Sequence, residues 1–382
     1  MPHDDDVLAL PGTLRARPPE QTWQMVKGHL SDYGITRLAR LTGLDGIGLP
    51  VWTAIRPASL TLSTSQGKGA TDDLARLSAV LEAIELWHVE QPMPLAAYGP
   101  AEKVAPLCPV AELPLTVPHS HRTLSRVVWE WTAGTGLISG AATLLPVDLV
   151  RRRAHRPEWS PDLLRATSTG LACGNTRDEA LVHALAEVVE RDVLYRDAQS
   201  GGQRRTLIDP ATVEDPFARD VLGRFEAAGM NTELFVVDGP YGLPVCTAYL
   251  WSEDHPAVFA GGGCHLLAGI AATRALTEAA QSRLTVIAGT RDDLSSEPAD
   301  FATPPVRPLT RRPLTPWPQA TGHFPPVRGG FADHVRHLAR QVAHVTGHEP
   351  VALDLSAPGA PVHAVQVVCP GTRSRIRRAM PR

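Results

Sequence analysis

The sequence predicts an α+β or mixed α/β protein. Three observations support this. Long segments place apolar residues at helical spacing, as at Leu74, Leu77, Leu81, Ile84 and Trp87. Short runs rich in β-branched residues lie between them, bounded by Gly and Pro. The two kinds of segment do not alternate strictly, which fits mixed layers of helix and sheet.

Residues 34–42 are short and semi-periodic and lead into a strand within residues 47–57. A polar, glycine-bearing loop follows at residues 63–69. Thr71 and Asp72 are N-cap residues for a helix running to about Glu90. Residues 92–160 alternate proline-rich turns with short apolar runs, and strands are expected there. A second glycine-bearing loop spans residues 168–176, and Thr176 or Asp178 caps a helix over roughly residues 177–198. Residues 217–228 read as a helix ended by Gly229, and residues 232–237 and 244–251 as strands. A third glycine-bearing loop, residues 259–265, precedes a helix over about residues 268–288. Residues 297–326 are dense in proline, and no regular structure is expected there. A helix at residues 331–345 and strands at 351–355 and 363–368 close the chain. The expected division is an N-terminal extension (1–30), a core (31–296), a proline-rich loop (297–326) and a helix–strand portion of the same core (327–382).

The 382 residues are 43% hydrophobic and 20% charged, the balance of a soluble globular protein. A net charge of −3 argues against a nucleic-acid partner. The five cysteines form no CxxC pair, so neither a zinc ribbon nor a disulfide framework is expected. The first eight residues carry three aspartates and no basic region, unlike a signal peptide. No apolar run is as long as a membrane span, and cytoplasm is the expected compartment.

Three helical segments repeat one device: polar side chains, mostly carboxylates, spaced three apart on a face with apolar neighbours. They hold Glu82 and Glu85; Glu179, Glu187 and Glu190; and Glu278 with Gln281. At that spacing the side chains share a helix face and repel, and burial makes ionisation costlier. Ordinary solvated glutamates would give the first pattern, Arg191 could pair within the second, and Arg274 could pair with Glu278. The threefold recurrence after glycine-bearing loops favours a shared cation. Hard cations take oxygen ligands, and magnesium usually arrives with nucleotide phosphates. Lys68, between Gly67 and Gly69, is placed either to meet a phosphate or simply in a turn. Walker A, GxGxxG, HExxH and GxSxG patterns are all absent.

Together these segments resemble the YcaO family of ATP-using, backbone-modifying enzymes. The resemblance rests on Ser78-x3-Glu82-x2-Glu85 and on Ser168-Thr169-Gly170-Leu171-Ala172-Cys173-Gly174-Asn175 followed by Glu179, Glu187, Glu190 and Arg191. It rests further on Glu278-x2-Gln281 with Arg283, on Gln66-Gly67-Lys68-Gly69, and upstream on residues 42–45 and 47–50. It covers roughly residues 30–290. It implies a YcaO-type α/β fold with a non-Walker ATP site. Glu82, Glu85, Glu187, Glu190 and Glu278 would hold magnesium, and Lys68, Ser78, Glu82, Glu179, Glu187, Glu190, Arg191, Gln281 and Arg283 would surround the nucleotide. No residue is assigned as the catalytic base. The implied chemistry is O-phosphorylation of a peptide amide, followed by attack of sulfide, a side chain or an amine. The product is then a thioamide, an azoline or an amidine.

Two departures from the family pattern bear on the choice. Glu85 is followed by Leu86-Trp87-His88 where the family usually has Glu-Arg, which resembles the subgroup working with a TfuA partner. The chain ends Arg378-Ala379-Met380-Pro381-Arg382, not in the Pro-x-Pro-x-Pro tail of azoline-forming members. The tail is therefore not expected to supply the base. Thioamidation with a TfuA-like partner is the leading expectation, azoline formation comes second, and a non-catalytic ATP-binding accessory is the alternative class. With about thirty residues before the family region, a separate partner is expected to present the precursor peptide, and the family suggests a homodimer. Asp300 is the only acid between Pro298 and Pro326, and this segment with its Arg307, Arg311 and Arg312 is expected to lie outside the nucleotide site.

Overall fold

Three antiparallel sheets of three, six and four strands frame the acidic helices. The structure, a computed structural model, describes residues 7–154, 160, 162–290, 312–325 and 327–374. The chain opens with a hairpin of β1 (Leu8–Leu10) and β2 (Thr13–Arg15), then α1 (Pro19–Val26). The three-stranded sheet follows as β3 (Arg37–Arg40), β4 (Val51–Ile55) and β5 (Thr64–Lys68), and leads into α2 (Asp72–Glu90). Next come β6 (Ala97–Pro100), α3 (Ala101–Val104), α4 (His121–Arg126), β7 (Val128–Gly136), β8 (Ala142–Pro146) and β9 (Leu171–Gly174). Helix α5 (Arg177–Gln199), β10 (Arg205–Leu207) and α6 (Pro216–Ala227) precede β11 (Asn231–Val237), β12 (Val245–Ser252) and β13 (His255–Cys264). Helices α7 (Ala268–Ala288), α8 (Trp317–Thr321) and α9 (Phe331–Thr346) and strands β14 (Val351–Asp354) and β15 (His363–Val368) complete the chain.

The six-stranded sheet runs β6-β7-β14-β15-β9, with β8 also paired to β7, so the last two strands are inserted between earlier ones. The four-stranded sheet runs β10-β11-β12-β13. Each long acidic helix touches two sheets. Helix α2 packs on β4, β5 and β9, α5 on β9, β15 and β13, and α7 on β12, β13 and β5. The three helices are therefore linked through shared strands: β9 joins α2 and α5, β13 joins α5 and α7, and β5 joins α7 and α2.

The sequence places these helices well. Thr71 accepts a hydrogen bond from the Leu74 amide and Thr176 one from the Glu179 amide, which start α2 and α5 where a capping hydroxyl predicts. The three glycine-bearing segments are a correction: each is largely strand, although residues 168–170 of the second do form a turn. Residues 64–68 form β5, residues 171–174 form β9, and residues 259–264 end β13. Their glycines serve close contact between strand and helix. A Cβ on Gly67 would lie 2.0 Å from the Ala79 nitrogen and 2.3 Å from the Ala75 oxygen. One on Gly261 would lie 2.1 Å from the Ala275 oxygen. Only glycine lets these strands lie against helix backbone.

Residues 92–160 hold three strands, as expected, and also the short helices α3 and α4. Four and six residues are too few to show a helical period. Residues 37–40, left without a definite element, form β3. The proline-dense stretch also departs from expectation in its described part, since α8 lies there. Pro316 caps it and Pro318 sits in its first turn, where an absent N–H costs no helical hydrogen bond. The rest of that stretch, residues 297–311 and 326, and the tail from residue 375 lie outside the described residues.

Candidate active site

Helix α2 reaches two sheets through two carboxylates. Glu82 Oε2 accepts the Gln66 amide of β5 at 3.0 Å, and Glu85 Oε1 accepts the Cys173 amide of β9 at 2.6 Å. Both amides come from strands that end their sheets on that side. The opposite face of the Gln66 peptide is held as well: Gln281 Nε2 of α7 donates to the Gln66 oxygen at 2.9 Å. The close strand–helix packing allowed by Gly67 brings these side chains within reach.

The remaining predicted carboxylates lie on α5 and α7. Glu187 and Glu190 share Arg191, whose guanidinium stands 3.5 Å from Glu187 Oε1 and 3.8 Å from Glu190 Oε1. Glu278 Oε2 lies 3.5 Å from Lys68 Nζ. The five carboxylates influence one another electrostatically in a chain, Glu82 to Glu85 to Glu187, and Glu187 with Glu190 and Glu278. Burial, with the Glu82 charge adding, pushes the Glu85 carboxyl well above the usual range. Burial also raises Glu187 against the pull of Arg191 and Arg274. It raises Glu190, only 4% exposed, to about 7, with Arg191 opposing and Glu278 adding. Burial would raise Glu278 too, but Lys68, Arg191 and Arg274 outweigh it and hold this carboxyl below its ordinary value.

The cluster is thus short of positive charge on α2 and α5. Arg191, the cation shared by Glu187 and Glu190, is 44% exposed, so solvent screens it. Carboxylate oxygens in this condition suit a hard divalent cation. Among the described residues no three His, Cys, Asp or Glu side chains close on one point at metal-binding spacing. Glu82 and Glu85 therefore face the strand edges, while Glu187, Glu190 and Glu278 gather about Arg191 and Lys68.

The other predicted residues divide. Ser78 lines a small cleft with Arg15, Arg17, Thr22 and Asn175. Glu179 is fully buried and takes Arg15 Nη1 at 3.1 Å, the Ala16 amide at 2.9 Å, and the Asn175 amide and Nδ2 at 3.2 and 2.9 Å. Arg283 is not brought to the cluster. It is buried on another side of α7, donating to Ser252 Oγ at 3.0 Å and to both oxygens of Asp254, with Asp45 3.7 Å away. Five residues beyond Glu278, it points well around the helix from that carboxylate.

Sequence reasoning missed Arg15, His183 and Arg274 as members of this neighbourhood. Arg15 lies 164 residues from Glu179, and no local spacing announces that contact. His183 faces Arg15 at 2.6 Å through Nε2 and Arg274 at 3.5 Å through Nδ1. Burial and both guanidiniums hold its imidazole well below the usual range, hence neutral. Arg274 was legible only as a partner one turn before Glu278.

The frame is helix on sheet with a carboxylate-lined junction, and the sequence has none of the common phosphate-loop motifs. Residues 66–373 match the family described as YcaO cyclodehydratase, ATP- and Mg2+-binding. The chain belongs to the YcaO family, a group of ATP-dependent, cyclodehydratase-like enzymes that bind ATP and Mg2+. A Rhizobium leguminosarum bv. trifolii relative, named as an uncharacterised protein in the tfuA 3' region, is 32% identical over 378 residues. That alignment covers 94% of this chain and 88% of the relative. The fold matches the Methanopyrus kandleri YcaO structure bound with AMPPCP and Mg2+ along the whole of both chains, with a TM-score of 0.72 and 22% identity. A heterocyclase solved in complex with substrate and cofactor also has a TM-score of 0.72 at 20% identity. The match takes in 97% of this chain, which spans 55% of that protein. No helix among the described residues is long and apolar enough to cross a membrane.

Proposed function

We propose that this protein uses ATP and Mg2+ to phosphorylate a backbone amide oxygen of a precursor peptide, in the making of a ribosomally derived peptide product. One observation carries the reading: Glu82, Glu85, Glu187, Glu190 and Glu278 stand within electrostatic reach of one another on three helices, and burial raises Glu85, Glu187 and Glu190. A divalent ion held there, bridged to a triphosphate, supplies the missing positive charge and takes up charge developing on the phosphates. Lys68 and Arg191 stand beside these carboxylates and are the proposed phosphate contacts, Ser78 the contact in the neighbouring cleft. Glu179 acts indirectly, by fastening Arg15 and Ala16 beside that cleft. Gln281 fixes β5 rather than the nucleotide, and Arg283 is left out of the nucleotide set because its Nη groups are taken by Ser252 and Asp254 and Asp45 lies beside its Nε.

Thioamide formation with a TfuA-like partner is the favoured outcome. It draws support from the Leu86-Trp87-His88 run and from the tfuA 3' region that the Rhizobium relative is named for. An amide oxygen is a poor leaving group, and a phosphate is a good one. In the overall change the amide, ATP and hydrosulfide become the thioamide, ADP and phosphate. The new C–S bond replaces the C–O bond, and the hydrosulfide proton leaves on phosphate. Azoline formation, in which a Cys, Ser or Thr side chain attacks instead, is the second reading. A cytoplasmic homodimer is part of the proposal, as is a separate partner presenting the peptide. The test is direct: purified protein, a candidate precursor peptide, the TfuA-like protein, ATP, Mg2+ and sulfide are mixed, and product is read by mass spectrometry. Exchange of one oxygen for sulfur, with matching ADP release, is expected. Loss of water from the peptide would instead select the azoline reading, and no ADP release with any peptide would leave the accessory class.

A further inference from the structure

The far end of α2 holds a charge imbalance that the carboxylate cluster does not use. Glu90, the last residue of the helix, is buried and accepts Arg56 Nη2 at 2.6 Å and Thr61 Oγ1 at 3.0 Å. Arg152 comes to the same place from the segment after β8 and donates Nη1 to Thr61 Oγ1 at 3.1 Å. Arg56 is 4% exposed and Arg152 6%. Arg56 thus pairs with Glu90, while Arg152 feels the Glu90 charge and bonds the Thr61 hydroxyl that Glu90 also holds. Three of the guanidinium nitrogens, Arg56 Nη1 and Arg152 Nε and Nη2, are buried without a hydrogen-bond partner among the described residues.

The helix end does not absorb the surplus. The Arg152 amide already occupies the Val89 oxygen at 2.7 Å, and the Gln91 amide occupies the His88 oxygen at 3.2 Å. A buried cation left in this condition costs several kcal/mol, a reason for such a group to meet an anion. Burial holds the Arg152 guanidinium below its ordinary range, with Glu90 and Glu82 opposing and Arg56 adding. The influence of Glu82 puts Arg152 within electrostatic reach of the α2 carboxylates at the nucleotide junction. Leu86, one turn before Glu90, packs in one apolar cluster with Leu62, Leu149 and Val150 and brings no cation of its own.

We propose that Arg56 and Arg152 form an oxyanion site at the C-terminal end of α2 that takes a phosphate-type group. Three free donors on two guanidiniums suit a tetrahedral oxyanion with several acceptors, and guanidinium is the side chain best matched to phosphate. The anion is either the terminal phosphoryl group of a bound nucleotide or free phosphate. The inference rests on the proposed function insofar as that reaction supplies both.

The test uses full-length protein and reads binding without turnover, so it fails separately from the proposed reaction. Calorimetry with inorganic phosphate alone is one arm, and calorimetry with AMPPCP and Mg2+ the other. Wild-type protein is expected to bind phosphate, and Arg152→Gln and Arg56→Gln to weaken it by about tenfold or more, the loss of a charge-assisted contact. Weakening in the phosphate arm alone identifies free phosphate as the occupant. Equal weakening in both arms identifies the nucleotide's own phosphoryl group. Arg152→Lys should recover part of the loss, which a purely structural arginine would not show. Absence of phosphate binding to the wild type, together with AMPPCP binding unchanged in both variants, overturns the site. Should either Gln variant misfold, failure of phosphate to compete with AMPPCP on the wild type, with no phosphate binding of its own, overturns it equally.

Discussion

The first turn and the middle of α5 treat a carboxylate in opposite ways. At its first turn Glu179 has every need met, by Arg15, the Ala16 amide, and the Asn175 amide and side chain. Two turns on, Glu187 and Glu190 share one half-exposed arginine, and burial lifts Glu190 to about 7. The first carboxylate closes the fold, since it ties the β1–β2 hairpin to the helix. The second pair is left in want of charge. On the proposed reading, a single helix with a single residue type separates structure from function by the number of donors supplied.

The sharpest way to break that contrast is Glu190→Gln. It should keep the fold, since it removes a group that is costly to ionise, while ATP turnover falls by roughly 10²-fold, the scale of losing one electrostatic contact in a site. Unchanged turnover would show that the underpaired carboxylates are decoration. Trimming the last five residues, which lie outside the described structure, should cost far less activity than Glu82→Ala.

Glu179→Ala should act on the other side of the contrast. It leaves Arg15 and three buried N–H groups without their acceptor, and unfolding in denaturant should show a loss of about 3–5 kcal/mol. A loss under about 1 kcal/mol, within the range of ordinary surface substitutions, would mean the hairpin is held by packing alone.

Acidity gives a finer comparison. Glu190 sits near 7 when folded against an ordinary 4.5, so between these values the folded state holds a proton that the unfolded chain has lost. Stability then falls as pH rises through that window, and the loss is complete above it. Thermal melts without metal should show lower stability at pH 8 than at pH 6, by on the order of 1–2 kcal/mol. Mg2+ with AMPPCP should narrow the gap, because a cation favours the ionised carboxylate. A gap that is absent without metal, or widens with it, speaks against the cation.

The smallest effect is expected away from the junction. Replacing Arg307, Arg311 and Arg312 with Ala should leave peptide-independent ATP hydrolysis unaffected. Arg312 donates to the Arg205 and Gly202 oxygens beside β10, so its loss should cost about 1–2 kcal/mol of stability and nothing in turnover. A collapse of hydrolysis with the fold intact would bring that segment to the nucleotide.

Much of this was legible in the chain itself. Helices α2, α5 and α7 show their starts in Thr71, Thr176 and the run after His265, and their apolar spacing is long enough to resolve. The strands against them were hidden because β5, β9 and β13 carry glycine where a strand normally shows branched residues. The reason, a helix backbone about one atom's width away, lies in the packing and not in the local sequence. The acidic faces of the site were legible because both members of each pair sit on one helix. Arg15 and the true partners of Arg283 were not, because Glu179, Asp45 and Asp254 are far from them in sequence.

The grip of Glu82 and Glu85 on two strand amides has a mechanical side. Gln66 belongs to one sheet and Cys173 to another, and α2 pins both through side chains one turn apart. Whatever takes charge from either carboxylate also loosens or tightens a pin. Filling the junction and setting the spacing of the two sheets are then one equilibrium, and a load at the site is carried directly into the frame.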